Sequence, residues 1–308
     1  MNPRHRPLRT DRLSSLVRGR SAGNLALGAP ELAGEAEGAL GGRRELATWF
    51  VADWRRMLFV HYRVPAEILQ PHVPHPLDLF DGDAWLSLVF FRLENMRPPY
   101  TGALGRALLR PISGHPFLNV RTYVRAEAGP GIHFIAEWIP NRLSAWIGPR
   151  TYGLPYRLGA FDCELAGEDG GVGRVAVRDS AEDAELALTF PVQPEPMLRA
   201  GPGSEDDFLL ERYTAYTCHH GVRRCFRVAH APWQFHRPNW LRVDPTLLVR
   251  AFPWFAAAKL AGAHLTPGAN EVRMSRPMRL SGDGEAVVGA IHFGREVPAN
   301  GPDAGPLS

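Results

Sequence analysis

The chain has almost no lysine. Of its 35 cationic side chains only Lys259 is a lysine, and the rest are arginine. Arginine stays protonated and cannot form an imine, so amine chemistry on a carbonyl compound must use Lys259 or is excluded. Cysteine is scarce as well. Cys163, Cys218 and Cys225 are too few for the disulfide framework of a secreted domain and suit a reducing cytosol. No stretch approaches the roughly 18 consecutive apolar residues of a membrane helix, and the Arg- and Ser-bearing N-terminal segment lacks the apolar core of a secretory signal. A soluble, cytoplasmic protein that does not engage a membrane is expected.

Net charge is only +3, and part of the basic excess falls in the N-terminal segment, so a nucleic-acid surface is not expected. The arginine excess has two readings: the base composition of a GC-rich gene, or a demand for planar, permanently charged anchors for carboxylates. No phosphate-cradling glycine loop, HExxH or GxSxG element occurs, so no cofactor is expected. The Cys218-His219-His220 to Cys225 spacing fits a hairpin tip better than a metal knuckle, and no metal is expected.

What is present is a core-forming composition, 45% hydrophobic and 10% aromatic over 308 residues. Residues 1–43 read as a disordered tail and 296–308 as a loose one, leaving a single domain over 44–295. Short strands are expected at 57–64, 85–93, 117–126, 132–139, 154–165, 172–178 and 185–191, with a further hairpin about His220-Gly221. Helices are few: 65–71, a turn at 104–109, and 203–213 with a Ser204 cap and an acidic first turn. Another starts at Asp244-Pro245 and is kinked at Pro253, which puts Lys259 on a peripheral Ala-rich helix. This pattern indicates an α+β protein with a closed or nearly closed antiparallel β-barrel and helices outside.

Side chains alternate along a strand. Over Phe117–Arg125 one face carries Leu118, Val120, Thr122 and Val124, and the other Asn119, Arg121, Tyr123 and Arg125. The polar face either meets water or points into a barrel cavity. In the second case Arg121 holds an anion that Asn119 and Tyr123 orient, and an in-register hairpin sets Glu137 to neutralise Arg121. Glu94, on the face of Leu88 and Phe90, is a second acid/base candidate beside a surface reading. His61 reads as a core histidine, His72 and His75 as surface residues, and His230 as the histidine best placed for a pocket mouth.

The segment Gly148-Pro-Arg-Thr-Tyr152-Gly-Leu-Pro-Tyr156-Arg157 resembles the stretch that carries the reactive lysine pair of acetoacetate decarboxylases, with Tyr156 and Arg157 at the two lysine positions. Together with Leu58-Phe-Val-His-Tyr-Arg-Val-Pro65, Phe80-Asp-Gly-Asp-Ala-Trp85, Leu118-Asn-Val-Arg-Thr-Tyr-Val124, Glu211-Arg-Tyr213 and His230-Ala-Pro-Trp233, it resembles the YqjF-like family of uncharacterised bacterial proteins. That family is similar to the acetoacetate decarboxylase-like superfamily. The resemblance implies a cone-shaped antiparallel β-barrel with peripheral helices, a cavity for a small carboxylate or carbonyl ligand, and often a homo-oligomer. It does not bring the imine-forming lysine. The candidates are therefore Glu94, Glu137 and Tyr156 for acid–base work, and Asn119, Arg121, Tyr123, Arg157 and His230 for the ligand. A lysine-independent, lyase-like enzyme is one expectation, and a non-catalytic binding or structural module is the other.

Overall fold

Residues 47–164, 170–192 and 197–280, with the backbone of 286–287, are described by a computed structural model of the chain. The two tails read from the sequence fall outside the described residues.

Four long strands open the fold: β1 (Thr48–Val64), β2 (Ala84–Arg97), β3 (His115–Ala126) and β4 (Gly129–Ile139). Shorter ones follow as β5 (Tyr156–Leu158), β6 (Ala160–Glu164), β7 (Gly171–Asp179), β8 (Ala184–Val192) and β9 (Leu198–Arg199). Then come β10 (Thr214–His219), β11 (Val222–Ala229), β12 (Gln234–Phe235), β13 (Arg242–Asp244), β14 (Lys259–Ser275), β15 (Met278–Leu280) and β16 (Ala286–Val287). The order β10-β4-β3-β2-β1-β14-β11, with β11 paired back to β10, makes a closed ring of strands. Closure removes the open edges that a sheet otherwise has to protect. The ring is antiparallel except where β4 meets β10, and β5 also runs parallel to β4.

Alternation sorts the ring into two faces. Outward, Leu58, Val60, Leu88, Phe90, Leu118 and Val120 pack with Val175, Val177, Leu186 and Leu188 of a second sheet ordered β13-β8-β7-β6. Inward, Met57, Phe59, Val89, Phe91, Phe117 and Phe226 form a separate cluster. Each such side chain contributes about 1.5–3 kcal/mol when buried. β1 serves both faces only because a bulge interrupts it between Arg55 and Leu58, with Arg56 at φ 51°. Ala52 before the bulge and Met57 after it therefore face the same interior.

The helix Arg142–Thr151 follows β4 and starts at Asn141, whose side chain accepts from the Ser144 N–H. Gly153, at φ +73°, reverses the chain into β5. Lys259 is not on a helix: it opens β14, is exposed, and pairs with Arg63 of β1. His75 is buried, not on the surface.

Candidate functional site

The ring encloses a cavity of about 280 Å³, at the small end for a ligand site. Its wall is aromatic, with Trp54, Phe59, Phe91, Phe117, Phe134 and Trp233 among the lining residues. Asn119 and Arg121 come from β3 and Glu137 from β4, Tyr156 from β5, and His230 from the segment after β11. The helix Arg142–Thr151 contributes Ile147, Gly148 and Thr151. Gly148 permits a close approach, since a Cβ there would lie 2.1 Å from the Tyr156 ring.

Most polar groups at the cavity already have partners. Arg212 reaches Asp78 at 2.9 Å, Ser144 lies 3.1 Å from His115, and Thr151 donates to the Ile147 carbonyl at 3.0 Å. The Asn119–Arg121–Glu137 group is different: Asn119 Oδ1, Arg121 Nε and Glu137 Oε1 are buried without a hydrogen-bond partner. Unmet buried polar atoms are uncommon and costly.

Register explains the arrangement. Asn119 sits opposite Glu137, but a bulge follows Val120, so Arg121 faces Phe134 and not the carboxylate. The expected neutralisation of Arg121 by Glu137 is not made. Arg121 instead donates to the Leu209 carbonyl at 3.3 Å and lies 5.2 Å over the Phe59 ring. Burial weakens its hold on its proton, and the neighbouring Tyr123 works against that. Burial pushes the Glu137 carboxyl up to about 8, with Asn119 only partly offsetting it. At neutral pH the cavity thus holds a guanidinium with no carboxylate beside it and a neutral carboxylic acid.

Tyr156 lies alongside Glu137 in the β4–β5 pair, and burial together with that carboxyl keeps its phenol protonated. His230 packs 4.2 Å from Trp233 and 4.9 Å from Tyr213 between ring centroids. Its Nδ1–H donates to the Ala231 carbonyl at 2.8 Å. Burial holds its pKa down to about 4, with Arg121 adding to the effect, so the ring is neutral at pH 7 and Nε2 can accept.

Three candidates fall elsewhere. Tyr123 lies behind Arg121, fully buried, with its hydroxyl 2.9 Å from the Leu209 carbonyl and 2.6 Å from Ser87 Oγ, so it supports the cavity without walling it. Arg157 points away from the interior, because alternation turns it opposite to Tyr156. Its partners are Glu182 at 2.9 Å and the rings of Trp138 and Phe252. Glu94 shares the outward face of Leu88 and Phe90 and is held by Arg92 at 3.1 Å, outside the cavity. Lys259 does not line it either. Trp49, Phe50 and the helix residues were missed; of these only the helix carried a signal, the Asn141 cap.

A closed strand ring around a small cavity is the architecture of acetoacetate decarboxylase-like proteins, and the solved structures agree. An acetoacetate decarboxylase-like enzyme from Sphingomonas wittichii RW1 superposes with a TM-score of 0.53 at 15% identity, covering 77% of this chain and 94% of its own. Acetoacetate decarboxylase from Legionella pneumophila gives 0.53 at 11%, covering 83% and 98%. The enduracididine biosynthesis enzyme MppR complexed with pyruvate gives 0.51 at 14%, covering 79% and 93%. At these identities the likeness establishes the fold alone. In sequence, the chain belongs to the DUF2071 family, described as an uncharacterized conserved protein, whose model matches residues 51–268. It is 33% identical over 184 residues to the uncharacterized protein YqjF of Bacillus subtilis strain 168, covering 58% of this chain and 72% of that protein. No helix among the described residues is long and apolar enough to cross a membrane.

Proposed function

We propose that the chain binds a small organic acid, with Arg121 as the anchor for its carboxylate. One observation carries this: a buried guanidinium inside a cavity with no carboxylate partner among the described residues. Ion pairs to arginine are strongest where water is excluded. The aromatic wall favours a ligand with one apolar end, and Asn119 and the His230 Nε2 offer polar contacts beside the anchor. Glu137, neutral at pH 7, is suited to hand a proton to a carbonyl oxygen of the ligand, and Tyr156 to donate a hydrogen bond to the same oxygen. Imine chemistry has no part in this scheme, because the chain's one lysine, Lys259, does not line the cavity.

Thermal-shift screening tests the anchor. Pyruvate, benzoate and other monocarboxylates should stabilise the wild type and not Arg121→Met; equal shifts in both would end the assignment. Whether the cavity also catalyses is read with pyruvate in deuterium oxide. Methyl deuteration that disappears in Glu137→Gln marks an acid–base enzyme. Binding without exchange marks a carrier or sensor. Assembly into a homo-oligomer accompanies this proposal, and light scattering of the full chain checks it.

A further inference from the structure

A second polar system lies behind the cavity wall. His61 of β1 and His264 of β14 sit on paired strands, and His61 Nε2 lies 2.9 Å from His264 Nδ1. On the inner side, His61 Nδ1 is 2.7 Å from Ser87 Oγ, which is 2.6 Å from the Tyr123 hydroxyl. That hydroxyl is 2.9 Å from the Leu209 carbonyl, the same oxygen that receives Arg121. On the outer side, His264 Nε2 lies 2.9 Å from Asp206 Oδ1, and Arg237 donates to the same carboxylate at 2.6 Å. His61, Ser87, Tyr123 and His264 are buried, while the Asp206 side chain is 15% exposed. One continuous hydrogen-bonded line therefore connects a water-accessible carboxylate to the carbonyl that Arg121 uses.

The hydrogens of this line have two self-consistent arrangements, because a hydroxyl carries one hydrogen and a neutral imidazole one N–H. In the first, both histidines are neutral. The Asp206 carboxylate, which accepts from Arg237, must then be met by the His264 Nε2–H. His264 Nδ1 accepts from the His61 Nε2–H, His61 Nδ1 accepts from Ser87, and Ser87 accepts from Tyr123. The Leu209 carbonyl is left to Arg121. In the second, the pair has gained one proton. His264 then donates from both nitrogens, His61 donates from Nδ1 to Ser87, Ser87 donates to Tyr123, and Tyr123 donates to the Leu209 carbonyl. A single proton, entering at the Asp206 end, reverses every bond from His264 to Tyr123 and turns the Tyr123 hydroxyl onto the Leu209 carbonyl.

We propose that this line is a proton-coupled relay to the anion site, so that a carboxylate binds at Arg121 together with one proton taken up by the His61–His264 pair. This rests on the organic-acid assignment above. The charges facing the pair are Arg121 on the His61 side and Asp206 with Arg237 on the His264 side. Burial, the neighbouring His264 and Arg121 disfavour the proton on His61; on His264 burial disfavours it more than Asp206 favours it. An anion at Arg121 cancels the guanidinium's repulsion and draws its N–H groups away from the Leu209 carbonyl. Both changes favour the arrangement in which Tyr123 donates to that carbonyl. Ser87 and Tyr123 are thereby positioning residues, acting on the ligand through Arg121.

The test is nitrogen NMR of the full chain labelled at histidine and arginine. In the wild type, acidification should move the His61 hydrogen from Nε2 to Nδ1 in the same step that doubly protonates His264, and the Arg121 side-chain resonance should follow. Saturating pyruvate should raise the midpoint of that step by about one pH unit, a tenfold gain in proton affinity. Ser87→Ala, and independently Tyr123→Phe, should uncouple Arg121 from the step and remove the pyruvate effect. A His61 hydrogen that stays on Nε2 throughout, or pyruvate that binds without moving the midpoint, overturns the relay. If pyruvate does not bind, the organic-acid assignment fails by itself. The relay is then decided by whether Arg121 follows the histidine step in the wild type and not in Ser87→Ala.

Discussion

The two faces of the strand ring are built from similar residues and end up with opposite chemistry. Under the second sheet, aliphatic and aromatic side chains fill the space, and the buried Trp138 Nε1 donates to Asp179 at 2.8 Å. Inside the ring, an equally aromatic cluster surrounds a void and leaves Asn119, Arg121 and Glu137 with unmet polar atoms. Each unmet buried group costs about 1–3 kcal/mol. The outer layer also leaves the Tyr62 hydroxyl unmet, but the interior gathers three such groups around a void where a ligand can meet them.

The sharpest way to break that comparison is to remove one residue from each face. Leu186→Ala, fully buried in the outer layer, should lose about 2–5 kcal/mol in denaturant unfolding and leave carboxylate affinity unchanged. Arg121→Met should do the reverse. Its stability should match or exceed the wild type, because a buried charge without a counter-ion is removed. Its affinity for a carboxylate should fall by about 10- to 100-fold, the worth of charge-assisted hydrogen bonds. A large stability loss in Arg121→Met would make the guanidinium a structural strut and erase the distinction.

Glu137 offers a smaller effect with a definite sign. Its folded-state pKa is raised from 4.5 to about 8, so between those values the folded protein holds a proton that the unfolded chain has released. Stability from this group is then lost as pH rises, by up to about 1.4 kcal/mol per pH unit across that window, and is flat above it. Unfolding followed from pH 5 to 9 should show this decline in the wild type and not in Glu137→Gln. Above about pH 8, carboxylate binding should also weaken in the wild type, because an ionised Glu137 repels the ligand.

The face alternation of Phe117–Arg125 was legible without coordinates, because period-two patterning survives in a strand whose two faces differ in polarity. The ring closure was only half legible. β14, which pairs with the whole length of β1, contains Lys259-Leu-Ala-Gly-Ala-His with Pro267-Gly268-Ala269, a composition of low β-propensity that tertiary pairing overrides. The same blindness hid the histidine line, since His61 and His264 are 203 positions apart. The expected Arg121–Glu137 contact failed on a single bulge after Val120, and nothing in the local sequence announces it. The outward placement of Glu94 was implicit in its shared face with Leu88 and Phe90, once that face proved to be the packed one.

The finest version of the comparison needs only adjacent residues. Tyr156 and Arg157, the adjacent pair that the sequence resemblance sets against the decarboxylase lysines, part company in the fold: β5 turns the first inward and the second outward. Tyr156→Phe removes one hydroxyl from the cavity and should lower affinity for pyruvate several-fold, in line with the roughly 0.5–1.5 kcal/mol of a neutral hydrogen bond. Arg157→Met breaks a half-exposed ion pair to Glu182, worth about 0–1 kcal/mol, and should leave the dissociation constant unchanged. Titration calorimetry on the two variants separates the faces with one residue's difference in position. Equal losses in both would mean that β5 does not present its side chains to opposite sides, and the inside–outside division of the ring would fail at that strand.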